Sequence, residues 1–283
     1  MISVPVLLIC LSSAVYAAED SLTQDGAVSD SYSEQLIKKA RSEKLWEEPE
    51  WITFLHYDKS FFGFKSRVDD PQFFFFAEGK YDPEKEMYDT INAMFGPEND
   101  DSNRLYKFTA RYSWLKTRLS IDETKLKENF DKKFSTFYDN YKPVKVTLVF
   151  PAGYMNNPAS MFGHTFLLLE SEDGSKLLAQ SANYAAITNE TAGPIYWFKG
   201  FFGLYPGYYS FVPYYKKIQE YNDAEMRDMW EYELDLSGDE IRTVMRHVVE
   251  MENIYSDYYF LDENCSFNLL YLIQAAKPQT HLT

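Results

Sequence analysis

The chemistry open to this chain rests on a single cysteine. Two cysteines occur in 283 residues, Cys10 and Cys265. Cys10 lies in an apolar N-terminal stretch expected to be cleaved off, which leaves Cys265 unpaired in a compartment that usually oxidises thiols. An unpaired thiol there is either an inert core residue or one that is used. The segment Asp262-Glu263-Asn264-Cys265-Ser266 is followed by apolar residues to Ala276 and then by Pro278. That pattern predicts a helix over Cys265–Ala276 with Asn264 as its N-cap. The partial positive charge and N–H groups of a helix N-terminus lower a thiol pKa and can hold an oxyanion. The thiolate, not the thiol, is the nucleophile, so this position suits attack on a carbonyl.

A nucleophile of this kind needs a base, and four histidines are present. His281 lies near the end of the sequence. His247 falls in an amphipathic helix beside Arg246 and Glu250, where a surface histidine is expected. His56 follows the apolar run Ile52–Leu55 and is expected to be structural. His164 follows Ser160-Met161-Phe162-Gly163 and opens a strand, Thr165-Phe166-Leu167-Leu168-Leu169. A histidine at the exposed end of a buried strand can face a cleft; spacing alone leaves it open between base and core residue. No HExxH, CxxC pair, P-loop or GxSxG occurs, so zinc, nucleotide and serine-hydrolase chemistry lack support and no metal or cofactor is expected.

The elements that must position these residues follow from periodicity. Residues 31–46 have helical spacing, and Asp82-Pro83-Glu84 starts a helix to about Phe95. Arg104–Leu119 and Asp122–Tyr138 read as further helices, Trp51–Tyr57 and Gln72–Ala77 as strands. This first half shows no clustered chemistry and reads as a helical, aromatic-rich platform. Strands are then expected over Lys145–Phe150, His164–Glu170, Lys176–Tyr184, Ile195–Lys199, Gly207–Val212 and Met229–Leu236. Ser237–Met251 reads as a helix opened by a capping box, Ser237 with Glu240. The class expected is α+β, an antiparallel sheet with flanking helices.

Composition limits the partners. A formal net charge of −15 and a pI near 4.7 argue against nucleic acid, which needs a basic face. The 23 Tyr and 22 Phe can build a large core. Met1–Ala18 holds an apolar run from Val4 to Leu11, too short to span a bilayer, and Val15-Tyr16-Ala17 suits a signal peptidase. The organisation expected is a signal peptide over 1–17, a flexible lead-in over 18–30, a helical N-terminal region over 31–140 and a catalytic core over 141–283.

Four blocks carry a resemblance: Phe162-Gly163-His164-Thr165-Phe166-Leu167, Ser181-Ala182-Asn183-Tyr184-Ala185-Ala186, Lys199-Gly200-Phe201-Phe202-Gly203-Leu204-Tyr205 and Glu263-Asn264-Cys265-Ser266-Phe267-Asn268-Leu269-Leu270. They resemble the Lnb N-terminal periplasmic domain family from about Trp51 to Pro278. That family is similar to the circularly permuted papain-like (NlpC-type) enzymes, in which the histidine strand precedes the cysteine helix. The resemblance implies Cys265 as nucleophile and His164 as base. It puts an orienting residue on the strand after His164, with Asn183 chosen and Ser181 as the alternative. Asn264, Ser160 and Tyr184 stand beside them as candidates for binding. It further implies a periplasmic location, a cysteine near Tyr106 that this chain lacks, and residues beyond the helix of Cys265. The activity implied is acyl transfer from phospholipid to a lipoprotein amine, with peripheral membrane contact. A cell-wall amidase or peptidase acting on peptidoglycan peptide is the alternative, and a non-catalytic binding module the third.

Overall fold

The structure, a computed structural model, describes residues 32–95, 108–126, 130–152, 164–172, 174–189, 193–219, 228–280 and 282. The expected signal peptide, the lead-in and Tyr106 lie outside the described residues.

A helical layer comes first. It holds α1 (32–43), α2 (Pro49–Phe54), a hairpin of β1 (Tyr57–Ser60) and β2 (Gly63–Ser66), α3 (Pro83–Phe95), α4 (Thr109–Leu119) and α5 (Asp131–Tyr141). Two expected strands are corrected here. The run from Trp51 is helical because Pro49 supplies a preset first turn, and Trp51 and Phe54 are then buried at helical spacing. Short apolar runs do not reveal their period on their own. The four phenylalanines from Phe73 form no strand either, because side chains take the backbone groups a sheet would use. Asp70 accepts the Gln72 N–H, Glu86 accepts the N–H groups of Phe75 and Phe76, and Arg111 donates to the Phe73 carbonyl.

A six-stranded antiparallel sheet follows, in the order β7-β3-β4-β5-β6-β8. Its strands are β3 (Pro143–Pro151), β4 (Phe166–Ser171), β5 (Gln180–Ala186), β6 (Tyr205–Pro213), β7 (Met229–Glu233) and β8 (Tyr255–Tyr258). Between and after them run α6 (Pro194–Phe201), α7 (Tyr214–Ile218), α8 (Gly238–Glu250) and α9 (Cys265–Ala276). The α+β class, antiparallel sheet and flanking helices are as read from sequence. So are α9, to the residue, and the Ser237–Glu240 capping box of α8. The expected strand over Ile195–Lys199 is helix α6 instead: Pro194 opens it after Gly193 at φ 100°, and Tyr196 and Gly200 face inward one turn apart. Lys176–Leu178 is a 3-10 turn, so β5 begins only at Gln180.

Alternation sorts the sheet's two faces. Phe166 and Leu168 lie with Val149, Ala179 and Tyr214 on one side. Leu167, Leu169, Ala182, Tyr184 and Tyr209 lie on the other, in one core with Val244 and Met245 of α8 and Leu269 and Leu272 of α9. Trp51, Phe73, Ile91 and Leu115 of the helical layer belong to the same core, so the two halves share one interior.

That interior also overturns two expectations. His247 is fully buried rather than at the surface, and the first half does carry clustered chemistry. Glu86, Arg111, His247 and Glu250 form a sealed chain of ionisable side chains, all four at 0 % side-chain exposure. Arg111 Nη1 meets Glu86 at 3.3 Å, its backbone N–H donates to Glu250 at 2.8 Å, and its guanidinium lies over Phe108, 3.9 Å from the ring centroid. His247 Nδ1 lies 3.1 Å from Glu250, and its Nε2 lies 2.9 Å from Nε2 of His56. Burial holds His56 well below the ordinary histidine pKa, helped by the charges of His247 and Arg111. One proton lies between the two facing Nε2 atoms, so one ring donates and the other accepts, and His56 Nδ1 has no hydrogen-bond partner among the described residues. His56 is structural, as expected: its ring stacks on Tyr271 of α9 at 4.0 Å and 5°.

Candidate active site

Asn264 ends the loop before α9 in extended backbone, so its side chain can turn onto the helix it precedes. Its Oδ1 accepts from the N–H groups of Ser266 (3.0 Å) and Phe267 (3.2 Å), and its Nδ2 donates to the Phe260 carbonyl at 3.4 Å. Asn264 is thus a cap in full use, and it places Cys265 at the head of the helix. The Cys265 N–H is also taken: it donates to the Tyr258 hydroxyl at 3.2 Å. These N–H groups, which the sequence offers to an oxyanion, are occupied in this state.

Cys265 is the one free cysteine among the described residues, and it is buried at 4 % exposure. Burial pushes its thiol pKa up. A hydrogen bond and the charge of His164, the Thr165 N–H and the Tyr258 hydroxyl outweigh this and hold it at about 7. The thiolate is therefore well populated at neutral pH. Burial raises the Tyr258 phenol well above its ordinary range, with the Cys265 charge next, so it stays protonated and donates towards the sulfur.

His164 reaches Cys265 because β4 begins only at Phe166, which leaves His164 half-buried just before the strand. Thr165 next to it fixes the geometry: its hydroxyl lies 2.8 Å from that of Ser266, pinning the head of β4 to the head of α9. The two sequence-derived principals, separated by a hundred residues of chain, are thus brought together.

The remaining candidates are placed as follows. Asn183 faces Phe166 across β4 and β5, on the side of the sheet away from α9. Its Nδ2 donates to the Ser181 carbonyl and hydroxyl at 3.3 Å each, and its Oδ1 has no partner among the described residues. Ser181 donates to the Val212 carbonyl. Tyr184 is fully buried, donates to the Ser256 carbonyl at 3.2 Å and stacks on Tyr258 at 5.7 Å, bracing the ring that touches Cys265. Ser160 lies outside the described residues.

Sequence reasoning missed Tyr258, Thr165 and Ser266. Tyr258 sits on a different element from Cys265 and meets it only through the turn between β8 and α9, which no spacing rule encodes. The aromatic run from Tyr196 to Tyr215 divides in two. Tyr196, Tyr205, Tyr209 and Tyr214 are core, while Phe198, Phe202 and Leu204 are more than half exposed. The opposite, buried face of α6 meets the loop before Cys265: Gly200 packs against Phe260, and its carbonyl accepts the Phe260 N–H at 2.9 Å. Leu261, four residues before Cys265, is 62 % exposed. No helix among the described residues is long and apolar enough to cross a membrane.

Comparison with known proteins gives two matches, one in each half. Residues 133–283 match the Lnb N-terminal periplasmic domain family. Residues 43–118 match a domain of unknown function, DUF7843. No curated protein and no solved structure matches the chain.

Proposed function

The chain belongs to the Lnb N-terminal periplasmic domain family, and from that premise we propose that it is a periplasmic cysteine-dependent acyltransferase, taking an acyl group from phospholipid and delivering it to a lipoprotein amine. The observation that carries the reading is the buried Cys265 thiol at a helix N-terminus, held at about 7 by His164 against its own burial. An inert core cysteine has no such partner, and burial alone drives a thiol the other way. The chain order, His164 at the head of β4 and Cys265 at the head of α9, fits the permuted papain-like arrangement. The exposed Phe198, Phe202, Leu204 and Leu261 favour a lipid donor over a peptide one.

In this reading the Cys265 thiolate attacks the ester carbonyl of the donor. A C–S bond forms, the C–O bond breaks, and the lysolipid alkoxide leaves with the proton of the His164 imidazolium. An acceptor amine then attacks the thioester, C–N forms as C–S breaks, and His164 takes the amine proton. The Tyr258 hydroxyl and the Cys265 N–H, released from each other, donate to the oxyanion in both steps.

Purified protein is incubated with phospholipid vesicles in one arm and with muropeptides in another. A thioester mass on Cys265 and an N-acyl product on a diacylated lipopeptide are expected. Muropeptide cleavage that disappears in Cys265→Ser, with no lipid adduct, assigns the protein to the amidases instead.

A further inference from the structure

The loop that delivers Cys265 is held from the helical layer. Arg67, the residue after β2, sends its Nε to Asp58 and its Nη1 to Glu263, two positions before Cys265. Its backbone N–H donates to the His56 carbonyl at 2.8 Å, and its guanidinium lies 5.7 Å from the ring centroid of Phe267. Asp58 accepts in turn from the Tyr271 hydroxyl of α9 at 3.4 Å. One guanidinium fork thus grips the loop before the nucleophile directly and the helix behind it through Asp58.

Glu263 is the point of leverage. Only 12 % of its side chain is exposed, and its own carbonyl accepts from the Tyr259 N–H (3.4 Å) and from Asn268 Nδ2 (3.3 Å). Fixing its carboxylate therefore fixes the turn from Tyr259 to Asn264, the turn that caps α9 and sets Cys265 against Tyr258. A planar, always-charged fork does this where an ammonium would satisfy one carboxylate at a time.

We propose that Arg67 is a positioning residue for the Cys265 nucleophile, so that the region matching DUF7843 supplies part of the catalytic apparatus. The proposal rests on the reading of Cys265 as nucleophile, yet it is tested without any substrate. Full-length protein and its Arg67→Ala, Arg67→Lys and Arg67→Ala/Glu263→Gln variants are labelled with iodoacetamide across the neutral and alkaline range, with thermal melts confirming that each is folded. In Arg67→Ala the inflection should move up towards the free-thiol value, cutting the rate at about pH 7 roughly ten-fold. The double variant should stay raised, because the loop remains unanchored, and Arg67→Lys should fall between.

A double variant that returns to the wild-type inflection overturns the positioning role, since Arg67 would then only neutralise Glu263. A folded Arg67→Ala with the wild-type profile overturns it outright. Should the alanine variant not fold, Arg67→Lys decides, a raised inflection supporting the role and an unchanged one ending it. A wild type that itself titrates as an ordinary thiol defeats the nucleophile reading, and that result is distinct from the others.

Discussion

At the scale of single residues, the site is a thiol whose burial and whose partners pull in opposite directions. Cys265 titrates at about 7, so its thiolate is present above that pH and lost below it. Alkylation of the folded wild type should therefore inflect near this value. In His164→Ala the largest lowering influences are gone and only the Thr165 N–H and the Tyr258 hydroxyl oppose burial, so the inflection should rise towards the free-thiol value of about 8.5. Turnover in that variant should fall by about 10²–10⁴-fold without loss of fold. Tyr258→Phe removes a single weaker donor, and a smaller rise is expected in the same labelling experiment. An unchanged profile in both variants would leave Cys265 without its proposed partners. The position of Cys265 at a helix head is legible in sequence from its cap and apolar run, whereas spacing leaves His164 open between base and core residue and only the family resemblance pairs the two. Tyr258 was not legible, since its contact is made by the chain's return and not by any local pattern.

At the scale of elements, legibility followed the strength of the boundary signals. Asn264 and Pro278 bracket α9, which has its expected bounds, and Ser237 with Glu240 opens α8, whose helix lies one residue inside the expected Ser237–Met251 at each end. The runs from Trp51, Phe73 and Ile195 were misread because apolar stretches of this length carry no decisive period. Pro49, Glu86 with Arg111, and Pro194 decided them. Two tests belong here. Asn264→Ala removes the acceptor for two N–H groups and should cost about 1 kcal/mol in denaturant unfolding, with slower Cys265 labelling. Gly200→Ala drives a β-carbon into the Phe260 ring at the α6 contact. It should cost about 1–3 kcal/mol by the same measurement, as overpacked interiors do. A loss well below that range would mean that α6 moves freely away from the loop before Cys265.

At the scale of the whole molecule, the two matched regions are joined by the sealed chain from Glu86 through Arg111, Glu250 and His247 to His56. Arg111→Met would leave Glu86 and Glu250 buried without their shared cation, and about 3–5 kcal/mol of stability should go with it. The same chain gives the fold a pH limit. His56 is held below its unfolded value of about 6.5, so below that pH the unfolded chain takes up a proton that the folded one refuses. The His56 contribution is thus present above about pH 6.5 and falls as pH drops below it, while Glu86, which burial raises to about 7, contributes in the opposite sense over the same window. His56→Gln should remove the first alone, so that melting temperature at about pH 5–6 relative to pH 8 is higher in the variant than in the wild type. The contacts that make the chain span long separations, 191 positions from His56 to His247 and 139 from Arg111 to Glu250. A ribosome makes His56 and Arg111 long before His247 and Glu250, which complete their contacts. Until α8 follows, Arg111 has Glu86 but not Glu250, and His56 lacks the ring of His247. A core that waits on partners this distant in sequence closes late and slowly, because the cost of bringing them together is met before their contacts repay it.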